Sequence, residues 1–196
     1  MNREDIEKIT QNVVDIYRLT YKDKSEFMAV DVVDIAHMLG FKVYTYEMED
    51  KGEGATLSYK DYEDENGLGV NYIVMDNSFE YEDARAVISD VLVSHLIECN
   101  KNGEDAPHNI VSLVGEAQNF ELVLPKKEFL KRYQELSSKN HDQSSLVEDI
   151  ADEFLVPEEA ILRRCESLEM MAPLTEDEAY ERINDSILSL IKRTYS

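Results

Sequence analysis

The residues with the capacity for chemistry gather in one part of the chain. Asp90, His95, Glu98 and Cys99 lie in a single helical stretch, and His108, Ser112 and Glu116 follow it. Glu98 is three residues past His95, close enough to share its side of a helix. Imidazole nitrogen and carboxylate oxygen are zinc ligands, and a catalytic zinc takes three protein ligands and leaves a fourth position for water. His95/Glu98/His108 and His95/Glu116/His108 are both sets of that kind, though nothing in the spacing demands either. The competing reading of His95 is a core histidine. It belongs to the apolar series Val87, Val91, Leu92 and Leu96, and a buried imidazole finds a hydrogen-bond partner without a metal. We favour the core reading.

Other chemistries have less behind them. Cys99 stands four residues after His95, but a Cys–His pair on one helix is a weak sign of a nucleophile. His37 has Phe41 at i+4 and no ligand there, and His141 falls in a polar linker. The seven glycines are scattered, so no phosphate-cradling loop is present. The acidic stretch 61–69 lacks the spaced ligands, central glycine and closing glutamate of an EF-hand loop and reads as a solvated hairpin tip around Asn66-Gly67.

These residues must be positioned by the elements around them. Residues 83–98 carry Ala84, Val87, Ile88, Val91, Leu92 and Leu96 at the i, i+3, i+4, i+7 spacing of a helix with one buried face. Residues 2–20 and 30–39 show similar stripes, and Gly40 follows the second as a left-handed terminator. Residues 41–46, 55–60 and 71–76 are β-branched or aromatic and read as three strands. Helices are expected over 109–122, 126–137, 146–154 and 158–169. Thr175 and Glu178 form a capping-box pattern that opens a last helix, with Ala179, Ile183, Ile187 and Leu190 along one face.

Composition narrows the function classes. The 196 residues hold 42 acidic and 20 basic side chains, a formal charge of −22. Such a surface repels a phosphate backbone, and the densest basic cluster (Lys126, Lys127, Lys131, Arg132) is too small to reverse that. No run approaches the roughly 20 apolar residues of a membrane span. The first residues open into polar helix with no signal-peptide pattern. Cys99 and Cys165 cannot make a disulfide framework and are expected to be reduced. The expected location is cytoplasmic.

Four stretches together resemble the ImmA/IrrE family of zinc-metallopeptidase-like proteins. Residues 30–46 resemble its helix, Leu-Gly and strand. Residues 71–97 resemble its strand, acidic turn, Arg and central helix. Residues 113–125, ending Leu-Val-Leu-Pro, resemble its second site helix. Residues 146–164, with Ile-Ala-x-x-Phe-x-Val-Pro-Glu-Glu-Ala and Arg163-Arg164, resemble its tail. The family's His-Glu-x-x-His motif supplies two zinc ligands and a general base, and a third ligand comes from the next helix. Laid on this chain, the resemblance puts the second histidine at His95, the first at Val91 and the base at Leu92. The third ligand falls on Ser112, or on Glu116 in a shifted alignment. Valine has no lone pair to give and leucine takes no proton.

The resemblance implies an α+β fold, mostly helical and zincin-like, with a small three-stranded sheet packed on the central helix and a C-terminal helical extension. The expected division is 1–137 for the degenerate metallopeptidase-like domain, 138–172 for a helix-turn-helix-like segment packed on it, and 173–196 for the last helix. That segment's second helix offers Arg163 and Arg164 among four glutamates, which is a poor field for reading bases. The expectation is therefore a catalytically inactive chain with no metal or cofactor, acting on a protein partner. By resemblance that partner is a repressor-type, basic DNA-binding regulator of a mobile element. The rival expectations are an active zinc endopeptidase with a rebuilt site and an acidic inhibitor that imitates nucleic acid.

Overall fold

A computed structural model describes residues 2–24, 27–47, 55–58, 71–102, 109–112, 119–138 and 143–170. The predicted acidic loop at 61–69, His108, Glu116, His141 and the helix at 173–196 lie outside the described residues. The chain is mostly helical with one small sheet, an α+β fold. Its elements run α1 (Arg3–Thr20), α2 (Val32–Met38), β1 (Phe41–Tyr46), β2 (Ala55–Ser58), β3 (Asn71–Asp76), α3 (Tyr81–Asn102), β4 (Asn109–Ser112), α4 (Lys126–Ser137), α5 (Gln143–Phe154) and α6 (Glu158–Ser167).

The local signals explain most of these boundaries. Asn2 and Asp5 form a reciprocal capping box that opens α1. Asp31 caps α2 by accepting from the Val33 and Asp34 N–H groups. Gly40 ends that helix region at φ +86°, a conformation that suits a residue without Cβ. Pro125 and Pro157 stand immediately before α4 and α6, where a missing N–H costs nothing.

Among the described residues the sheet has four strands where three were expected, in the order β1-β3-β2-β4. β1 and β3 are parallel, with Phe41 opposite Asn71 and Val43 opposite Ile73. β2 is antiparallel to both β3 and β4. The added strand is a correction to the helix expected over 109–122. Residues 109–112 pair instead with β2, Ile110 opposite Leu57, as suits a segment with two adjacent β-branched residues. Residues 121–123 are a turn, closed by a 2.7 Å bond from the Leu124 N–H to the Phe120 carbonyl. Phe120, Leu122, Val123 and Leu124 are all buried. One helix face cannot bury four apolar side chains in five residues; an irregular plug driven into the core can.

α3 packs against α1, α2 and the strands β2 and β4. Phe41, Ile73 and Met75 supply the buried face of the sheet. The one-sided stripe expected for α3 is a second correction. From Arg85 to Val93 every residue is buried, including Ser89 and Asp90. α3 is thus an axle surrounded by the fold, and its polar residues need internal partners.

Candidate functional site

The axle sets where any chemistry on α3 can occur. Val91 and Leu92, at the implied ligand and base positions, are fully buried in the core. His95 is one turn further on and half-buried. Its ring stands edge-on to Phe41, with centroids 4.9 Å apart at 85°. The Cys99 sulfur lies 3.4 and 3.5 Å from the two ring nitrogens. Burial lowers the His95 pKa below the ordinary imidazole value, so the neutral ring is favoured. Burial and, secondarily, the Glu98 charge push the Cys99 thiol up. Glu98 accepts from Lys101 at 3.1 Å. The Cys–His pair is thereby a packed contact in which burial favours the neutral form of both groups and works against a thiolate.

The polar face of α3 runs through Asp90 and Ser94, one residue earlier than the Val91–His95 pair. Asp90 Oδ1 accepts from the Asn119 backbone N–H at 2.9 Å and from its side-chain amide at 2.7 Å. That amide also donates to Ser94 Oγ at 3.3 Å, and Ser89 Oγ donates to the Asn119 carbonyl at 3.0 Å. Four side chains thus pin the start of the 119–124 plug to the axle. Neither Ser94 nor Asn119 stood out in the sequence, since Asn119 lies inside the stretch 109–122 that reads as helix.

Among the described residues the implied ligands are not assembled, and Glu116 and His108 lie outside them. Ser112 sits on β4, opposite Ala55, and not on a helix facing α3. Among the described residues no group of three or more His, Cys, Asp or Glu side chains is arranged to hold a metal ion. A zinc of the kind that the resemblance implies does not fit them. Val91 has no donor atom, Leu92 has no base, and the half-buried His95 ring packs against Phe41 and Cys99.

Two buried arginines, absent from the sequence-based site, organise the helical half. Arg85 donates from Nη1 to the Val30 carbonyl at 2.7 Å, from Nε to Leu155 O at 2.9 Å and from Nη2 to Phe154 O at 3.2 Å. It joins the α2 approach to the turn between α5 and α6. Leu155 takes φ +54° in that turn, which aims its carbonyl at the guanidinium. Arg164 is also buried and meets Glu7, Glu121 and the Leu124 carbonyl. The pair Arg163-Arg164 is therefore split. Arg163 binds Glu159 on the surface, and Arg164 is unavailable to a nucleic-acid base.

Beside Arg85 the surface opens into a groove of about 440 Å³. Its floor is Tyr17, Met28 and Val30, and its lips are Phe27, Tyr81 and Leu155. Phe27 and Tyr81 are 66% and 58% exposed, an unusual placement for aromatic rings with no covering segment among the described residues. Arg18 fixes the Phe27–Met28 backbone by donating to both carbonyls, at 2.9 and 3.1 Å.

Comparison with known proteins returns no matching family model, no matching curated protein and no matching solved structure.

Proposed function

We propose that this chain is a catalytically inactive relative of the ImmA/IrrE peptidases, zincin-like in ancestry, that acts by binding a protein partner. The observation that carries the first half is the burial of Val91 and Leu92 inside the α3 axle. A zinc hydrolase needs ligands and a base around an open position, and the implied positions hold aliphatic side chains in a dry core. The second half is supported by the largely apolar groove beside Arg85, on a chain of charge −22. By the resemblance, the partner is a repressor-type regulator of a mobile element. A basic DNA-binding protein also suits an acidic surface electrostatically.

The test is metal content together with peptidase activity of the purified chain. The reading expects no stoichiometric zinc and no chelator-sensitive cleavage of unstructured peptides. Zinc at one per chain, with cleavage abolished by chelator, establishes instead the rebuilt active site. A partner that is a DNA-handling enzyme, displaced by DNA, establishes instead the nucleic-acid mimic.

A further inference from the structure

The groove beside Arg85 has more definition than a generic apolar patch. Its floor is closed by core residues, and its two aromatic lips stand apart on different elements: Phe27 before α2 and Tyr81 at the start of α3. Its two cations are already engaged. Lys24 is bound by Asp31 and Asp34, and Arg85 spends its donors on three backbone carbonyls.

Carboxylates stand beside the lips. Glu80 and Glu82 flank Tyr81 in the chain, and Glu159 is close enough to Asp83 to act on its charge. Asp83 sits partly buried among them, and its pKa is raised first by burial and then by those three carboxylates. Asp152, exposed, lines the groove itself together with Leu155. An apolar trough with a carboxylate rim is complementary to a helix that has aliphatic anchors on one face and lysine or arginine beside them.

We propose that the Phe27–Tyr81–Leu155 groove is the docking site for a cationic amphipathic segment of the partner. Aliphatic anchors at helical spacing fill the trough, and the flanking cations meet Asp152 in the groove wall and Glu80 and Glu82 beside Tyr81. The proposal rests on the reading that the chain works by binding, and names where and what it binds.

The probe is a labelled Leu/Lys peptide of about five helical turns with leucines on one face, titrated into the full-length chain by fluorescence anisotropy. A scrambled peptide of equal composition is the control for nonspecific attraction. The patterned peptide is expected to bind at least tenfold more tightly than the scrambled one. Phe27→Ser/Tyr81→Ser and, separately, Asp152→Lys are expected to weaken it about tenfold and severalfold. Both variants alter exposed side chains, and circular dichroism verifies the fold. Ile16→Ser/Leu19→Ser removes two exposed apolar residues of α1, 53% and 71% exposed, and is expected to leave binding unchanged.

Equal binding of both peptides, equal loss in the α1 variant, or no binding overturns the proposal. So does binding that appears only in Ile183→Ser/Ile187→Ser, since the chain's own C-terminal segment is then the occupant. The two proposals fail separately. Stoichiometric zinc with peptidase activity overturns the inactive reading and leaves peptide binding in the groove standing; loss of groove specificity in a zinc-free chain does the reverse.

Discussion

Arg164 and Glu7, 157 residues apart in the chain, meet in a buried two-bond fork, with Nη1 to Oε1 at 2.6 Å and Nη2 to Oε2 at 2.8 Å. The fork ties α6 to the first turns of α1, and the Arg164 Nε bond to the Leu124 carbonyl, at 2.9 Å, brings in the end of the plug. Breaking a buried pair by removing one partner strands the other charge away from water, a loss of about 3–5 kcal/mol. Arg164→Ala is therefore expected to lower stability on that scale in urea denaturation. Arg163→Ala, next to it in sequence but surface-exposed in its pairing with Glu159, is expected to cost no more than about 0.5 kcal/mol. Equal effects would show that the fork does not hold the two ends together.

Glu121 lies against the same fork. Burial raises its pKa above the ordinary glutamate value, partly offset by the Arg164 charge. Its Oε2 is buried without a hydrogen-bond partner, while Oε1 accepts from Arg3 at 3.2 Å. An acid with a raised folded pKa is protonated more readily in the folded state. Its contribution is complete below the unfolded pKa and declines as pH rises through the folded one. Glu121→Gln, which keeps the shape without the charge, is expected to gain stability relative to the native chain as pH rises from about 4 toward neutrality. Parallel stability curves for the two chains across that interval contradict this.

The Arg85 guanidinium donates to the three backbone carbonyls of Val30, Phe154 and Leu155. Arg85→Ala leaves those acceptors facing apolar neighbours and is expected to cost on the order of 3 kcal/mol. Arg85→Lys recovers only part, because an ammonium cannot reproduce the planar fork. At Leu155, whose φ is +54°, glycine is expected to be tolerated and isoleucine to destabilise by about 1–2 kcal/mol, since a β-branched residue fits the left-handed region poorly. Denaturant midpoints of the four variants rank these effects.

His95 titrates, by burial, below an ordinary histidine. With a depressed folded pKa, the stabilising share of the neutral ring is present above the unfolded value and is lost as pH falls through the folded one. His95→Phe, which keeps a ring against Phe41, is expected to flatten the stability loss between about pH 6.5 and pH 5. A ring-proton titration by NMR is expected to give His95 a midpoint below the ordinary imidazole value.

Much of the fold was legible because local chemistry agreed with tertiary need. Gly40, the alternation of residues 41–46 and the prolines before α4 and α6 each marked a boundary that the structure keeps. Residues 109–112 were misread because an apolar stretch with Ile110 and Val111 suits a helix or a strand until its partner is known, and β2 is more than 50 residues away. The start of α5 at Gln143 was masked by polar residues that resemble a linker. At the candidate site, Val91 and Leu92 were legible as aliphatic, and their full burial agrees with that. The Asp90–Asn119 bond and the Arg85 and Arg164 clamps were not legible, since each joins elements at least 29 residues apart. A groove is likewise a property of surfaces that meet only on folding.

The measurement that bears most directly on the central claim is native mass spectrometry of the tag-free chain after zinc loading and exhaustive dialysis. The account predicts a metal-free mass and a melting temperature indifferent to zinc or chelator. One zinc per chain, lost in His95→Ala, would contradict it and place a working ligand set around a histidine that this structure packs against Phe41 and Cys99.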